Sequence, residues 1–251
     1  RDHFGGAIKR VGAVTATAFA AVSAVIISTT KSAVSAFADY EQLVGGVETL
    51  FKDSATKVQE YAQNAYMTAG LSANEYMSTV TSFSASLLSS LSGDTSKAAD
   101  IADMAMIDMA DNANKMGTDM SAIQVAYQGF AKQNYTMLDN LKLGYGGTKT
   151  EMQRLLADAT KLSKVKYDIN NLSDVYNAIH VIQTQMGITG TTAKEAMQTI
   201  SGSAAATKAA WQNVLVTIAG GGPGLKKAVD DLLKTVFGDE SGGGLLNNVH
   251  L

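Results

Sequence analysis

The chain has 251 residues, of which 46% are hydrophobic and 17% charged, with one proline and no cysteine. The lack of cysteine excludes a disulfide scaffold, thiolate zinc sites and cysteine nucleophiles, and a formal net charge of −3 provides no basic field for sequence-specific nucleic-acid binding. Scarce proline and aromatic residues, together with abundant Ala, Ser, Thr and Met, favour long, closely packed helices. We therefore expect an all-α fold: a multi-helix bundle preceded by a long Ala/Ser-rich apolar helix, with no significant β-sheet. Because the first residue is Arg1, we also expect the chain to be a piece of a longer protein.

The first predicted element is a long apolar helix in residues 1–38, in which positions 11–30 carry no charged residue. A helix of that length rises about 30 Å, which matches the hydrocarbon core of a bilayer, but its Ala, Thr, Ser and Val residues make transfer into lipid only marginally favourable. Small residues that would allow close approach of another helix recur at every fourth position: Gly12, Ala16, Ala20, Ala24 and Ser28, continuing through Ser32 and Ala36. The segment is therefore either a membrane span or a buried helix that packs on this chain or on further copies.

Residues 39–219 form the second region, a series of amphipathic helices with recognisable starts and ends. Three Ser/Thr-x-x-Glu spacings predict capping boxes, in which two helix-start groups satisfy each other: Ser72 with Glu75, Thr148 with Glu151, and Thr192 with Glu195. Glycines suited to a left-handed terminating residue follow helical runs at positions 70, 117 and 187. Between positions 61 and 93 the only charged residue is Glu75, so we expect this surface to meet another protein.

One predicted helix carries four aspartates and a stripe of methionines. We expect the aspartates to form a solvated face opposite a core face; they are Asp100, Asp103, Asp108 and Asp111. The methionines are expected to be ordinary core, with an adaptable contact surface as the alternative; they are Met104, Met106, Met109, Met116 and Met120. His180, beside the apolar row of a later helix, is expected to be a hydrogen-bonded boundary residue rather than a ligand or base.

Two short motifs resemble reaction sites but lack the context that such sites need. Residues 144–150 resemble a phosphate loop, but the lysine does not directly follow the last glycine and no strand precedes it. Glu240-Ser241 is the pair found in lytic transglycosylases, but it lies in a glycine-rich tail with no enclosing helices. We therefore assign no catalytic, cofactor-binding or metal-ligating residue. Residues 220–251 are expected to be glycine-rich joints around one short amphipathic helix.

Residues 134–152, which read NYTMLDNLKLGYGGTKTEM, resemble the signature of the core region of tail tape-measure proteins of long-tailed phages and prophages. Similar blocks follow in the same order at 187–196, 199–203 and 208–213, and residues 37–51 are similar to the beginning of that region. The resemblance covers about residues 5–220. Full members of the family have long helical arms on either side of this core, so the resemblance covers only part of a measuring function.

The residues of these blocks are expected to specify the fold. In the first block, three apolar residues are expected to dock inward: Met137, Leu138 and Leu141. Three glycines are expected to form a turn that reverses the chain: Gly144, Gly146 and Gly147. Thr148 with Glu151 then starts the next helix.

In the second block, Gly187 is expected to end a helix and Gly190 to permit a tight turn. Thr192 with Glu195 is expected to start a helix that carries Trp211 as an aromatic anchor of the bundle.

The resemblance implies a structural protein rather than an enzyme, without a cofactor. In this family the chain lies in the lumen of the tail tube, templates assembly of the tube, sets the tail length, and is expelled ahead of the genome during ejection across the host envelope. The implied partners are the tail tube protein, tail assembly chaperones, tail-tip proteins and further copies of the chain. The implied locations are the virion, the host cytoplasm during assembly and, through residues 11–30, the host cell membrane during infection.

Two other functions are alternatives. Copies packed through the small-residue row would form a membrane-inserting pore or translocation module. A cell-wall hydrolase is the weaker alternative, because some tape-measure proteins carry such domains but this sequence has no zinc motif and no acid in an evident cleft.

Overall fold

The structure of this chain is a computed structural model that describes residues 32–222, 224–239 and 242–249. These ranges consist of α-helices, short 3-10 helices and turns, and their only strand-like feature is an isolated bridge between Asp239 and Gly242. The expected all-α fold is confirmed. The apolar segment 11–30 lies outside the described ranges, as do its small-residue positions Gly12, Ala16, Ala20, Ala24 and Ser28. Of the helices within these ranges, none is long and apolar enough to span a membrane.

Six of the helices are preceded by a capping residue whose side chain accepts a backbone N–H of the first turn, which is the usual chemistry of a helix start. Those residues are Ser72, Asp94, Asp119, Thr148, Asn171 and Thr199. In chain order the elements are α1 (residues 32–51), a 3-10 turn (Lys52–Ser54), α2 (Ala55–Thr68), α3 (Ala73–Ser90), α4 (Thr95–Met116), α5 (Met120–Phe130), a 3-10 helix (Leu138–Leu141), α6 (Lys149–Ser163), α7 (Leu172–Gln185), α8 (Thr191–Glu195), α9 (Ile200–Ala219), α10 (Leu225–Phe237) and α11 (Leu245–Val249).

The start of α3 and the ends of three helices match the sequence prediction. Ser72 Oγ accepts the N–H of Glu75 at 3.3 Å, and the Glu75 carboxylate accepts the N–H of Ser72 at 2.9 Å, so this capping box is confirmed. Gly117 ends α4 with a φ of +63°. Gly70 after α2 and Gly187 after α7 also have positive φ, as a left-handed terminating residue requires.

Helix α4 lies at the centre of the bundle and packs against α2, α3, α5, α7 and α8. Its residues Ala102, Ala105, Met106 and Met109 are buried. The remaining residues of the methionine stripe are partly buried and pack against the same core, so the core interpretation of that stripe is confirmed. On one side of α4, aromatic rings from α3, α5 and α7 meet. The ring centre of Tyr176 lies 5.5 Å from that of Phe83 and 5.1 Å from that of Tyr127.

The weakly charged stretch 61–93 is largely covered by the chain itself. It contains all of α3, which packs against α2, α4, α5 and α7. Its large side chains Tyr76, Met77 and Phe83 are buried. The low charge of this stretch therefore follows in large part from burial within the bundle, which the sequence did not indicate.

Helices α9, α10 and α11 form a smaller unit beside the main core. Helix α9 packs against α2, where Tyr66, Ala209 and Ala210 make a separate small apolar cluster. The predicted short amphipathic helix is α10. The glycine-rich joint after it leads back to the start of α9, where Asn248 Nδ2 donates to the carbonyl oxygens of Met197 at 3.1 Å and Thr199 at 3.2 Å. The tail therefore contains a second helix, α11, that the sequence prediction did not include.

Candidate functional site

A buried polar cluster on α4 is the place where the two sequence blocks meet. It consists of Asp108, Asp111 and Asn112, all of which are buried, although such side chains are usually exposed. The expected solvated aspartate face was wrong for Asp108 and Asp111, because α7 and the start of α8 pack over this part of α4. The expectation holds for Asp100, whose exposed carboxylate lies 2.6 Å from Lys57 Nζ.

Asp111 fixes the start of α8. One carboxylate oxygen accepts the N–H of Gly190 at 2.5 Å, and the other accepts the N–H of Thr192 at 2.7 Å. The first N–H groups of a helix have no partner within the helix and carry a partial positive charge, so a carboxylate there is favourable. Gly190 adopts a left-handed φ of +82°, which glycine tolerates because it has no Cβ.

The capping box predicted for Thr192 and Glu195 was wrong. Helix α8 begins at Thr191, and Thr192 Oγ1 is buried without a hydrogen-bond partner in the described part of the chain. The Glu195 carboxylate instead accepts a hydrogen bond from Asn114 Nδ2 at 3.0 Å. The carboxylate of Asp111, distant in sequence, has taken the place of the local cap.

Trp211 does not anchor the bundle as predicted, because its side chain is 44% exposed. The helix that carries it, α9, is capped by Thr199, whose Oγ1 accepts the N–H of Gly202 at 3.0 Å. Helix α9 turns its alanine side, with Ala209 and Ala210, toward Tyr66 of α2. Small residues permit the closer approach of two helices, and this places the large indole on the outer side.

Asn112 ties the first sequence block to α4. Its Nδ2 donates to the carbonyl oxygen of Leu141 and to Gln183 Oε1, both at 2.9 Å. Leu138 and Leu141 are fully buried, as predicted, whereas Met137 is 43% exposed and does not dock inward. Residues three apart lie on the same side of a 3-10 helix. Leu138 and Leu141 therefore share the buried side, and Met137 points away from it.

Gly147 makes the following turn possible. A Cβ atom at this position would lie 2.2 Å from the carbonyl oxygen of Thr136, so a larger residue would have to displace the backbone. Thr148 Oγ1 accepts the N–H of Glu151 at 3.2 Å, but the Glu151 carboxylate accepts the N–H of Gly146 at 3.1 Å. Half of the predicted capping box is therefore present. The Glu151 side chain closes the glycine turn and does not complete the capping box.

Arg154 closes the same turn from the other side. Its Nη2 donates to the carbonyl oxygen of Gly144, which has a φ of +84°, at 2.7 Å. It also pairs with the Glu151 carboxylate at 2.6 Å, and its guanidinium lies 4.3 Å from the centre of the Tyr145 ring. The groups of this turn bind one another, which is consistent with a structural turn rather than a phosphate loop.

His180 joins α7 to α4 through Asp108. Its Nδ1 lies 2.9 Å from a carboxylate oxygen of Asp108, so the predicted hydrogen-bonded boundary histidine is confirmed. Burial raises the pKa of Asp108 to about 6, and the hydrogen bond to Asp108 raises the pKa of His180. The contact between α4 and α7 can therefore depend on the protonation of Asp108 and His180. No group of three or more His, Asp or Glu side chains within the described ranges could hold a metal ion.

Sequence reasoning missed Asn112 and Gln183 entirely. Neither residue lies in a motif, and polar amide side chains such as these are ordinarily expected on a helix surface. Their role is visible only when α4, α7 and the 3-10 helix are brought together.

No protein-family model, no curated protein and no solved structure matches this chain. Its function is therefore inferred from the sequence blocks and from the cluster that joins them.

Proposed function

We propose that this chain is the helical core of a tail tape-measure protein of a long-tailed phage or prophage. The observation that carries the proposal is that both sequence blocks bind adjacent buried residues of the central helix α4. Asn112 binds the block 134–152 through Leu141, and Asp111 binds the block 187–196 through Gly190. Blocks that are far apart in sequence thus serve one purpose, which is to fix a single packing around α4.

The chemistry of the block residues supports a structural role. Leu138 and Leu141 fill the core, and Gly147 permits a close approach of two backbone segments. Thr148 caps α6. Each of these residues acts on the protein's own packing or backbone, as is expected of a scaffold whose outer helix faces meet other proteins.

In this proposal the folded core spans only a small part of the tail length, because its helices are short. One continuous helix of 251 residues would extend about 380 Å at 1.5 Å per residue. Helix α4, with 22 residues, extends about 33 Å, and the chain folds back on itself around it. In this proposal the core is a compact module, and helical arms on either side set most of the tail length.

The proposed partners follow from this role. The tail tube protein assembles around the chain in the tube lumen, assembly chaperones hold it in the host cytoplasm, and tail-tip proteins and further copies meet it at one end of the tube. During ejection the chain leaves the tube before the genome and reaches the host envelope.

Electron microscopy of tails tests the proposal in the phage or prophage that encodes this chain. In-frame deletions in the helical arms are expected to shorten the tail by up to about 1.5 Å per residue removed. Asp111→Ala in the core is expected to reduce the number of tails without changing the length of those that form, whereas Asp100→Ala on the surface of the same helix is expected to change neither. Tails of normal number and length after removal of the whole coding region would overturn the proposal.

A further inference from the structure

A cavity of about 220 Å³ lies where the smaller unit meets the main bundle. It is lined by residues of α1, α2 and the start of α3 from the main bundle, and by residues of α9 and α10 from the smaller unit. An apolar cavity of about 150 Å³ that was engineered into another protein binds benzene. The cavity of this chain therefore has room for a single ring that carries a small substituent.

The apolar part of the lining is suited to an aromatic ring. The rings of Phe37 and Tyr40 have their centres 6.3 Å apart and an angle of 20° between their planes. The residues that α9 and α10 contribute include Ala210, Gly224 and Ala228, whose small size leaves open the space that larger side chains would fill. Aromatic rings attract one another in offset and edge-to-face arrangements beyond the effect of their buried area, so a ligand ring gains from contact with Phe37 and Tyr40.

The polar part of the lining provides both a donor and an acceptor. Asn213 Oδ1 accepts the N–H of Ala73 at 2.9 Å, so the Asn213 side chain offers its Nδ2 group to a ligand as a donor. Thr217 Oγ1 donates to the carbonyl oxygen of Asn213 at 2.8 Å, so it acts toward a ligand as an acceptor. A hydroxyl group both donates and accepts, and it therefore matches these two side chains.

The charges of the lining disfavour a charged ligand. Lys227 Nζ lies 2.6 Å from Asp231 Oδ2, and both residues line the cavity. The Tyr66 hydroxyl group is hydrogen-bonded to the same carboxylate. An anionic ligand would meet the like charge of Asp231, and a cationic ligand would meet the like charge of Lys227. The pair therefore favours a neutral ligand.

We propose that this cavity binds a neutral phenol with a single ring. The ring contacts Phe37 and Tyr40, and the hydroxyl group binds Asn213 and Thr217. The bound molecule contacts α1 and α2 as well as α9 and α10, so it fastens the smaller unit to the main bundle. This inference is independent of the proposed function, because it depends only on the lining of the cavity.

Fluorine NMR of 4-fluorophenol, added to the full chain, measures this binding. A dissociation constant on the order of 0.1 to 1 mM is expected for a ligand of this size. Fluorobenzene lacks the hydroxyl group, and 4-fluorobenzoate and 4-fluorobenzylamine carry a charge, so each is expected to bind about tenfold more weakly. Equal affinity for the four compounds, or no binding of 4-fluorophenol at about 10 mM, would overturn the proposal.

A cavity-filling variant locates the bound phenol. Ala228→Leu puts a larger side chain into the cavity and is expected to weaken the binding of 4-fluorophenol by about tenfold or more. Ala204→Leu, at an exposed position of α9, is the matched control and is expected to leave the affinity unchanged. Equal affinity in the two variants, with circular dichroism showing that both are folded, would overturn the proposal.

Hydrogen exchange of the natural chain tests the same site without a substitution. Because separation of α10 from α9 destroys the cavity, 4-fluorophenol at ten times its dissociation constant is expected to slow the exchange of α10 amides about tenfold. The same concentration of 4-fluorobenzoate is expected to slow it about twofold at most. Unchanged exchange of α10 in the presence of bound phenol would show that the phenol binds elsewhere and would overturn the proposal.

Discussion

Asp111 shows how a buried carboxylate is stabilised inside this bundle. A buried ionised group without partners would cost several kcal/mol. Asp111 accepts two N–H groups at 2.5 and 2.7 Å. These donors belong to the start of α8, where they would otherwise lack a partner. The carboxylate and the helix start therefore satisfy each other, and the position of α8 is fixed relative to α4.

Asp111→Ala is expected to lower the free energy of unfolding by about 2 to 4 kcal/mol, because two N–H groups at the start of α8 lose a charged acceptor. Asp100→Ala is the matched control. Its carboxylate lies in the same helix but forms an exposed pair with Lys57, so a loss below about 1 kcal/mol is expected. Urea unfolding at neutral pH measures both variants, and equal losses would contradict the role assigned to Asp111.

The Asp108–His180 pair predicts a pH dependence of stability. The pKa of Asp108 in the folded chain is about 6, above its ordinary value of 3.8. Between these values the folded chain keeps a proton that the unfolded chain releases, so the contribution of Asp108 is complete below about pH 4 and falls as the pH rises to about 6. The pKa of His180 is also raised. Its contribution is therefore retained below its ordinary value of 6.5 and lost as the pH rises through its folded-state value.

The variant Asp108→Asn separates the contribution of Asp108 to stability from that of His180. The natural chain is expected to lose stability relative to this variant, by on the order of 2 kcal/mol, as the pH rises from about 4 to about 6. Urea unfolding of both chains across this range gives the difference. Comparison with the variant removes the opposite effect of surface carboxylates such as Asp158, whose pKa is lowered by its hydrogen bond to Lys161. Parallel stability curves for the two chains would show that Asp108 does not titrate in this range.

At the scale of elements, the sequence predicted helix starts whose partners are close in sequence. Ser72 and Glu75 satisfy each other within four residues, and the structure has this capping box. Thr192 and Glu195 have the same spacing, but Asp111 of a distant helix accepts the Thr192 N–H that the Glu195 carboxylate would need. A local pattern contains no information about such a competitor, so the same rule succeeded at α3, gave half of the box at α6 and failed at α8.

The same limit explains the aspartates of α4. Their spacing indicated one polar face, and Asp100 does lie on the surface. Whether that face meets water or another helix depends on where α7 and α8 pack, and the spacing does not contain this information. The all-α class was predictable because it follows from composition, whereas the buried polar cluster depends on contacts between distant segments.

The turn before α6 gives a prediction at this scale. Gly147→Ala is expected to lower the free energy of unfolding by about 2 kcal/mol or more, because the new Cβ would collide with the carbonyl oxygen of Thr136. Gly45→Ala is the matched control. It lies within α1, where a Cβ would have no neighbour within 4 Å, so alanine is expected to stabilise the helix by about 0.5 to 1 kcal/mol. Urea unfolding distinguishes the two, and a tolerated alanine at position 147 would contradict the close approach.

At the scale of the whole molecule, the chain has a large core and a small one. The large core contains buried side chains from α1 to α7 and Ile188, whereas Tyr66, Ala209 and Ala210 make up the small cluster between α2 and α9. Free energies of local opening follow the density of buried contacts. The unit formed by α9, α10 and α11 should therefore open more easily than the bundle around α4.

Hydrogen exchange of the natural chain tests this difference. In α10 the only residue described as buried is Thr235, whereas much of α4 is buried. Amides of α10 are expected to exchange through a local opening that costs less free energy than global unfolding, and amides of α4 only through global unfolding. Mass spectrometry of exchange at several low urea concentrations separates the two, because local opening depends weakly on urea and global unfolding strongly. Equal protection and equal urea dependence in α4 and α10 would mean that the chain opens as one unit. The expected result would identify the unit formed by α9, α10 and α11 as the part of the chain that opens first.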